Sequence, residues 1–557
     1  MRLLSIHEDT NSNGAYFEDG KLLFAAAEER FTRKKFQEGF PSRVMSHIAS
    51  QYGVTPTGAD VVVAGNPSHF LARLPGILPP GEHDFFGPAH KLYLSFQDRL
   101  HSTPLLAQAT RGVSSLALRR RLGRAVAFVD HHTAHGYSAY LTSGFPAATV
   151  VSADNMGDGF AARVFVGESG RCRPLYGSTA SNSPGQFYGE ITQFLGFHCL
   201  MAGKVTGLAA YGDWRKAYPI ISKLFSLSRD GTDFEVAPLW PRQRGRGHYA
   251  ELTRFSPADV SAATQRRFEE VMVGYVKAAV LRTGQRKVAL AGGIFGNVKL
   301  NQRIAELPEV EEIFVHPAMS DQGIAVGAGM AWMAENSAAA ALPRRLDHVF
   351  LGPNYADEEI GRALEASGLP YEQPRDLESA IVDQLLRNQA VARYWGAVEY
   401  GPRALGHRSL LYRPDDPAVN DWLNRKLQRS EFMPFAPVTL DEHAEQCYVG
   451  VEKARYAAQF MTVCFDCTPA MKKSSAGVVH IDGTARPQLI TEAIDPGYYR
   501  IVKLFHERTG IPSIINTSFN MHGEPIVCTP NDAIRAFVKG TLEYMAMGSF
   551  LVRRRKS

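Results

Sequence analysis

What this chain has little of narrows its function first. Cysteine is scarce, with six residues in 557. They are scattered at Cys172, Cys199, Cys447, Cys464, Cys467 and Cys528, and only Cys464 and Cys467 have C-x-x-C spacing. Without a second pair no zinc ribbon can be completed. The apolar run 460–465 around them instead predicts buried strand thiols. No uninterrupted apolar stretch approaches the length needed to span a bilayer, so no membrane partner is expected. The opening Arg2-Leu3-Leu4-Ser5-Ile6 reads directly as a strand, without the charged, apolar and small-residue sequence of a secretory leader. The expected location is therefore cytoplasmic. Charge of either sign is also modest: the net charge is +5, which admits anionic substrates but does not call for nucleic acid. The basic run Arg119, Arg120, Arg121 and Arg124 reads as a solvated helix face. No internal repeat is visible, and the only biased tract is the stretch 336–345, Asn-Ser-Ala-Ala-Ala-Ala-Leu-Pro-Arg-Arg.

Strands and helices alternate through most of the length, so the fold class is α/β. Strands are expected at 3–6, 21–27, 60–65, 125–130, 148–153, 163–167, 287–291 and 313–317. A long helix is expected over 262–282, where apolar residues recur near a 3.6 period. At this length more than one domain should form. The division expected is 1–340, a linker at 341–349, and a second α/β domain over 350–557 with strands at 390–394, 456–465 and 512–516.

The residues that carry chemistry fall into two groups. His131 and His135 are four apart and would project from one helix face. Asp154, delivered by the strand 147–152 to a glycine-containing turn, and Asp321, after the strand 313–317, are carboxylates placed to join them. Two imidazoles with one or two carboxylates suit iron, manganese or zinc and leave positions open for a ligand. His132 competes with its neighbours, because i and i+3 also lie close on a helix. Gly292 and Gly293 after a strand, followed by Asn297 and Asn301, would let a backbone approach a nucleotide. Lys204, within the glycine-rich segment 203–212, offers an ammonium for phosphate, although packing explains such glycines equally well.

The second group lies in the later half. Glu399-Tyr400-Gly401-Pro402-Arg403-Ala404-Leu405-Gly406-His407-Arg408-Ser409 combines a rigid Gly-Pro turn with two arginines suited to gripping phosphate or carboxylate. Lys426, Arg429, Met433-Pro434-Phe435-Ala436-Pro437, Asp482-Gly483-Thr484-Ala485-Arg486 and Asn516-Thr517-Ser518-Phe519-Asn520 follow. Basic and small polar residues on loops after strands suit a polyanion such as ATP or carbamoyl phosphate.

Together with Ala27-Glu28-Glu29-Arg30-Phe31-Thr32-Arg33-Lys34-Lys35, these segments in this order resemble the O-carbamoyltransferases of the nodulation protein U and nebramycin carbamoyltransferase family. The resemblance implies an actin/hexokinase-like (ASKHA) amino-terminal domain with bound iron and a YrdC-like carboxy-terminal domain. It implies that the latter makes carbamoyl-adenylate from ATP, with Mg2+, and carbamoyl phosphate. The former would then pass the carbamoyl group to a hydroxyl of a small metabolite, in natural-product or antibiotic biosynthesis. By resemblance His131, His135, Asp154 and Asp321 hold the metal and Lys35 contacts the adenylate. Arg403, Lys426, Arg486, Ser518 and Asn520 bind ATP and carbamoyl phosphate.

Three departures stand out. Thr10-Asn11 occupies the place of the usual His-Asp, which makes His7, or else Asp9, the expected base. Met433 stands where an arginine is common, and Arg429 is expected to supply that charge. Phe36 replaces a histidine after Lys35, which implies altered acceptor contacts. The competing readings are carbamoyl-type modification of a protein or tRNA, a sugar kinase of the same fold class, and a non-catalytic ligand sensor. The acceptor, the identity of the divalent metal and homodimerisation are left open by the sequence.

Overall fold

The computed structural model describes residues 1–65, 116–237, 248–336, 342–426 and 435–554. The chain divides into two compact units, Met1–Leu23 with Glu38–Leu346, and Phe24–Gln37 with Asp347–Ser557. The excursion Phe24–Gln37 is absent from the sequence-based division at 341–349. It is held in the second unit in part by Ala25 N–H, which donates to the Leu351 carbonyl at 3.0 Å.

The first unit is built on two five-stranded sheets. One contains β1 (Arg2–His7), β2 (Asn13–Glu18), β3 (Lys21–Ala27), β4 (Val61–Gly65) and β5 (Ala127–Val129), in the order β3-β2-β1-β4-β5. β1 runs antiparallel to β2 and parallel to β4, and β4 is parallel to β5. Next along the chain come β6 (Ala147–Gly157), β7 (Phe160–Glu168) and β8 (Arg171–Thr179), then a small hairpin of β9 (Phe225–Leu227) and β10 (Phe234–Val236). β11 (Lys287–Ala291) and β12 (Glu312–Val315) complete the second sheet, whose order is β12-β11-β6-β7-β8. β6 is antiparallel to β7 and parallel to β11, and β11 is parallel to β12. The two sheets therefore have the same order and the same strand directions, a three-stranded meander followed by two parallel strands. The sequence shows no internal repeat; the structure corrects this with a repeat of topology. Such a duplicated unit is the actin/hexokinase-like architecture.

Local sequence explains the elements. β1 and the centre of β6 are buried on both faces, as parallel interior strands require, and read as near-continuous apolar runs. The helix Pro257–Thr283 starts where Ser256 accepts from Asp259 N–H and Pro257 sets the first turn, and it ends at Gly284 with φ 69°. The helices His131–Ser143 and Ile324–Asn336, one after the last strand of each sheet, pack on each other. A Cβ on Gly327 would fall 1.9 Å from the Ala134 carbonyl oxygen, so glycine there is what lets the two backbones meet.

The second unit carries an eight-stranded mixed α/β sheet. Its strands are β13 (Tyr371–Glu372), β14 (Val391–Tyr394), β15 (Arg408–Tyr412) and β16 (Ala436–Leu440), then β19 (Gln488–Ile490), β20 (Ser513–Ser518), β21 (Tyr544–Met547) and β22 (Phe550–Arg553). The order is β13-β22-β21-β14-β15-β20-β16-β19, while β17 (Phe465–Asp466) and β18 (Thr484–Ala485) pair separately. Ile381, Leu385, Val391, Val438, Ile501, Phe505 and Ile514 form a core between this sheet and the helices Leu377–Leu386 and Pro496–Thr509. The strand expected at 456–465 is a correction. Arg455–Ala458 is a helical turn with Thr462 Oγ1 donating to the Ala457 carbonyl, and only Phe465–Asp466 is extended. Cys464 and Cys467 are buried thiols, as expected, but they flank the two-residue strand Phe465–Asp466 and do not lie within one.

Candidate functional site

In the first unit His131 and His135 lie on the first turns of the helix His131–Ser143, Asp154 near the end of β6, and Asp321 just before the helix Ile324–Asn336. Each offers a ligand atom, and the four atoms lie within 4.8 Å of one another. His135 Nε2 is 3.5 Å from Asp154 Oδ2 and 3.6 Å from Asp321 Oδ1, and His131 Nε2 is 3.7 Å from Asp321 Oδ1. These spacings are too long for hydrogen bonds. They approach the roughly 3–3.5 Å between donors that share an ion through bonds of about 2.1 Å. Among the described residues neither ring nitrogen of His135 nor Asp321 Oδ1 has a hydrogen-bond partner.

The electrostatics point the same way. Burial alone would lower the His135 pKa, but Asp154 and Asp321 outweigh it and raise it to about 9. Burial and the Asp154 charge push Asp321 up to about 7, with Asp9 adding to the repulsion. Two carboxylates set this close and mostly buried are costly without a cation between them. The donor set therefore fits a divalent ion.

Supporting contacts fix each ligand. Asp154 Oδ2 accepts from Gly293 N–H at 2.7 Å and its Oδ1 from Asn155 N–H at 2.6 Å. Gly292, at φ 104°, leaves no room for a side chain, since its Cβ would lie 2.0 Å from the Ala153 carbonyl oxygen. His131 N–H donates to Asp158 at 2.7 Å, and a Cβ on Gly157 would fall 2.1 Å from the His131 ring. Asn13 Nδ2 donates to the Asp321 carbonyl at 2.8 Å, and its Oδ1 accepts from Ala325 N–H at 3.1 Å. Asn13 and Asp158 were not singled out from the sequence. His132 is turned away: its Nδ1 lies 2.7 Å from Ser152 Oγ and its Nε2 3.0 Å from the Phe160 carbonyl. Burial lowers it to about 4, so it is a neutral core histidine.

The other expected residues of this unit are placed as follows. His7 ends β1, fully buried and opposite Asn13 in register. Lys204 sits on the helix Ala202–Ala209, with Nζ 5.8 Å above the Phe197 ring. Asn297 caps the helix Val298–Ala305 and exchanges both amide hydrogen bonds with Gln265.

The second unit holds the basic residues, and it treats them unequally. Arg403 and Arg486 are half-buried, and no carboxylate of the described residues pairs with either. Burial and the neighbouring Arg486 lower the Arg403 pKa to about 9, and burial lowers that of Arg486. Two guanidiniums close enough to repel, with no carboxylate partner among the described residues, are a charge arrangement that an anion would neutralise. Arg408 is different. It is fully buried, donates to the carbonyls of Trp395, Gly396 and His407, and lies 3.7 Å over the Tyr394 ring. These contacts tie it to the backbone of 395–407.

Lys426 is ion-paired to Glu543. Asn520 Nδ2 donates to the carbonyls of Met521 and Glu524, and Ser518 pairs with Ser409 in register. Lys35 is exposed on the turn after the short helix Glu29–Thr32. Arg429 and Met433 lie outside the described residues.

Comparison with known proteins covers both units. Residues 4–330 match the family description "Carbamoyltransferase N-terminus", and residues 382–554 match "Carbamoyltransferase C-terminus". The chain belongs to the carbamoyltransferase family, and its activity class is carbamoyl transfer. It is 28% identical to the uncharacterized protein MJ1051 of Methanocaldococcus jannaschii, over 100% of both chains. It is 30% identical to the nodulation protein NolO of Bradyrhizobium diazoefficiens, over 77% of this chain and 79% of that one. A crystal structure of HypF from T. kodakarensis overlaps 61% of this chain and 49% of its own, with a TM-score of 0.32 and 12% identity. That likeness is loose, and the fold rests on the topology above. No helix among the described residues is long and apolar enough to cross a membrane.

Proposed function

We propose that this carbamoyltransferase is an ATP-dependent O-carbamoyltransferase that divides its chemistry between its two units. In the second unit, carbamoyl phosphate gives up phosphate with consumption of one water, and the carbamate oxygen attacks the α-phosphorus of ATP. Carbamoyl-adenylate and pyrophosphate result. In the first unit a substrate hydroxyl attacks the carbamoyl carbon and AMP leaves. The observation that carries this reading is the pair Arg403 and Arg486, cations without a protein counter-charge, within a match to the family's carboxy-terminal part.

Arg403 and Arg486 would hold phosphate oxygens through planar forks and offset the charge that gathers as carbamate meets the triphosphate. His131, His135, Asp154 and Asp321 would hold a divalent ion, for which iron is the ion expected from the resemblance. Such an ion supplies Lewis acidity toward the carbamoyl oxygen. Gly293 N–H, Asn13 and Asp158 hold those ligands in place. His7, or Asp9, takes the proton of the acceptor hydroxyl, and Lys35 contacts the adenylate. The acceptor is a small hydroxylated metabolite.

The test is pyrophosphate release by the full-length protein with ATP and magnesium, with and without carbamoyl phosphate, in the absence of acceptor. Release that depends on carbamoyl phosphate and is lost in Arg486→Ala is expected. Release indifferent to carbamoyl phosphate would sink the adenylation reading.

A further inference from the structure

The loop 401–408, which presents Arg403, is pinned at several backbone groups on either side of that residue. The Glu399 carboxylate Oε1 accepts from the N–H groups of Leu405, His407 and Arg408 at 3.0, 2.9 and 2.9 Å. Asn516 donates to the Ala404 carbonyl, Gln488 to that of Leu405 and Arg393 to that of Gly406. The carbonyl of Gly401, where the chain turns at φ 106°, is taken by Arg30 Nη2 at 2.8 Å. Arg30 is buried, and its other terminal nitrogen donates to Glu29 at 2.9 Å. Glu29 in turn accepts from Phe36 N–H at 3.0 Å. A buried ion pair that also donates to a carbonyl is a rigid bracket, because each of its groups becomes costly if the contact is lost.

We infer that Arg30, oriented by Glu29, is a positioning residue for anion binding: it fixes the Gly401 end of the loop so that Arg403 is held toward the phosphate before ligand arrives. Glu399 does the same at the other end. The motif around 27–35, itself part of the second unit, thus acts through Arg30. Preorganisation is the reason this matters. A guanidinium facing no counter-charge will swing toward solvent unless its backbone is fixed, and a small misplacement costs a large part of the interaction.

The inference rests on the anion-site reading, and a double-mutant cycle separates the two. Carbamoyl phosphate binding is measured by calorimetry on the full chain for wild type, Arg30→Lys, Arg30→Ala, Glu399→Gln, Arg403→Ala and the Arg30→Ala/Arg403→Ala double variant, with thermal unfolding as a control. Arg30→Lys keeps the charge beside Glu29 but not the fork that reaches Gly401. It should weaken binding roughly tenfold, with the same direction in Glu399→Gln. In the Arg403→Ala background the Arg30 change should add less than about twofold, because it acts through Arg403. Wild-type affinity in folded Arg30→Lys and Arg30→Ala, or full additivity in the double variant, would overturn the inference while leaving the anion site standing. Unchanged affinity in Arg403→Ala would overturn the anion-site reading itself. Failure of both Arg30 variants to fold would assign the bracket to stability alone and also overturn the inference.

Discussion

The two halves of the first unit share a strand order but contribute unlike parts to the histidine–aspartate cluster. The half built on β1–β5 supplies both imidazoles, from the helix that follows β5. The half built on β6–β8, β11 and β12 supplies both carboxylates, one from β6 and one from the segment after β12. The support is crossed. Asn13, at the start of β2, holds the backbone of Asp321 and Ala325 in the second half. Asp158, after β6, holds the His131 N–H in the first. Each half thus secures the other's ligand-bearing helix, and a repeated fold becomes one asymmetric site where the halves meet.

The largest effect should come from removing a ligand. His135→Ala should lower carbamoyl transfer by about a thousandfold and reduce the bound metal measured by elemental analysis. Pyrophosphate release without acceptor should stay near wild type, because the proposed function assigns that step to the second unit. Equal loss of both half-reactions would break the division of labour.

Next in size is a direct test of the crossed support. Asn13→Ala and Asp158→Ala should each weaken metal binding by about 10–100-fold, the usual cost of losing a partner that orients a ligand. Competition with a chelating dye reads this without catalysis. If the halves are equivalent in support, the two losses will agree within a few-fold. A loss confined to one variant would show that one half alone holds the site.

The cluster was legible in part, because imidazole and carboxylate have a specific metal chemistry. Spacing alone left His132 competing, and the set of four came from the resemblance to the carbamoyltransferases. The repeat was not legible. Strand order has no side-chain signature, and the halves differ in what is inserted. β3 ends at Ala27 and β4 starts at Val61, whereas β8 ends at Thr179 and β11 starts at Lys287. The roles of Arg30 and Arg408 were hidden for another reason. Their partners are backbone carbonyls, which every residue carries, and the Gly401 carbonyl is 371 positions from Arg30. From the sequence Arg403 and Arg408 read as an equal pair of anion ligands; only burial tells them apart.

The smallest effect on the metal is expected at His132, and it is the sharpest test of which histidines bind. All three histidines stand on one helix, with ring centroids of His131 and His132 5.0 Å apart and those of His131 and His135 4.7 Å apart. Proximity alone does not choose between them. Hydrogen bonding does, because both ring nitrogens of His132 already face Ser152 and the Phe160 carbonyl. His132→Gln should therefore leave metal stoichiometry and affinity within about twofold of wild type while costing about 1–3 kcal/mol of stability, the range for disturbing buried hydrogen bonds. Thermal unfolding of the metal-free protein measures the second quantity and dye competition the first. A variant that loses metal but keeps its unfolding temperature would exchange the roles of His132 and its neighbours, and with them the division of ligands between the halves.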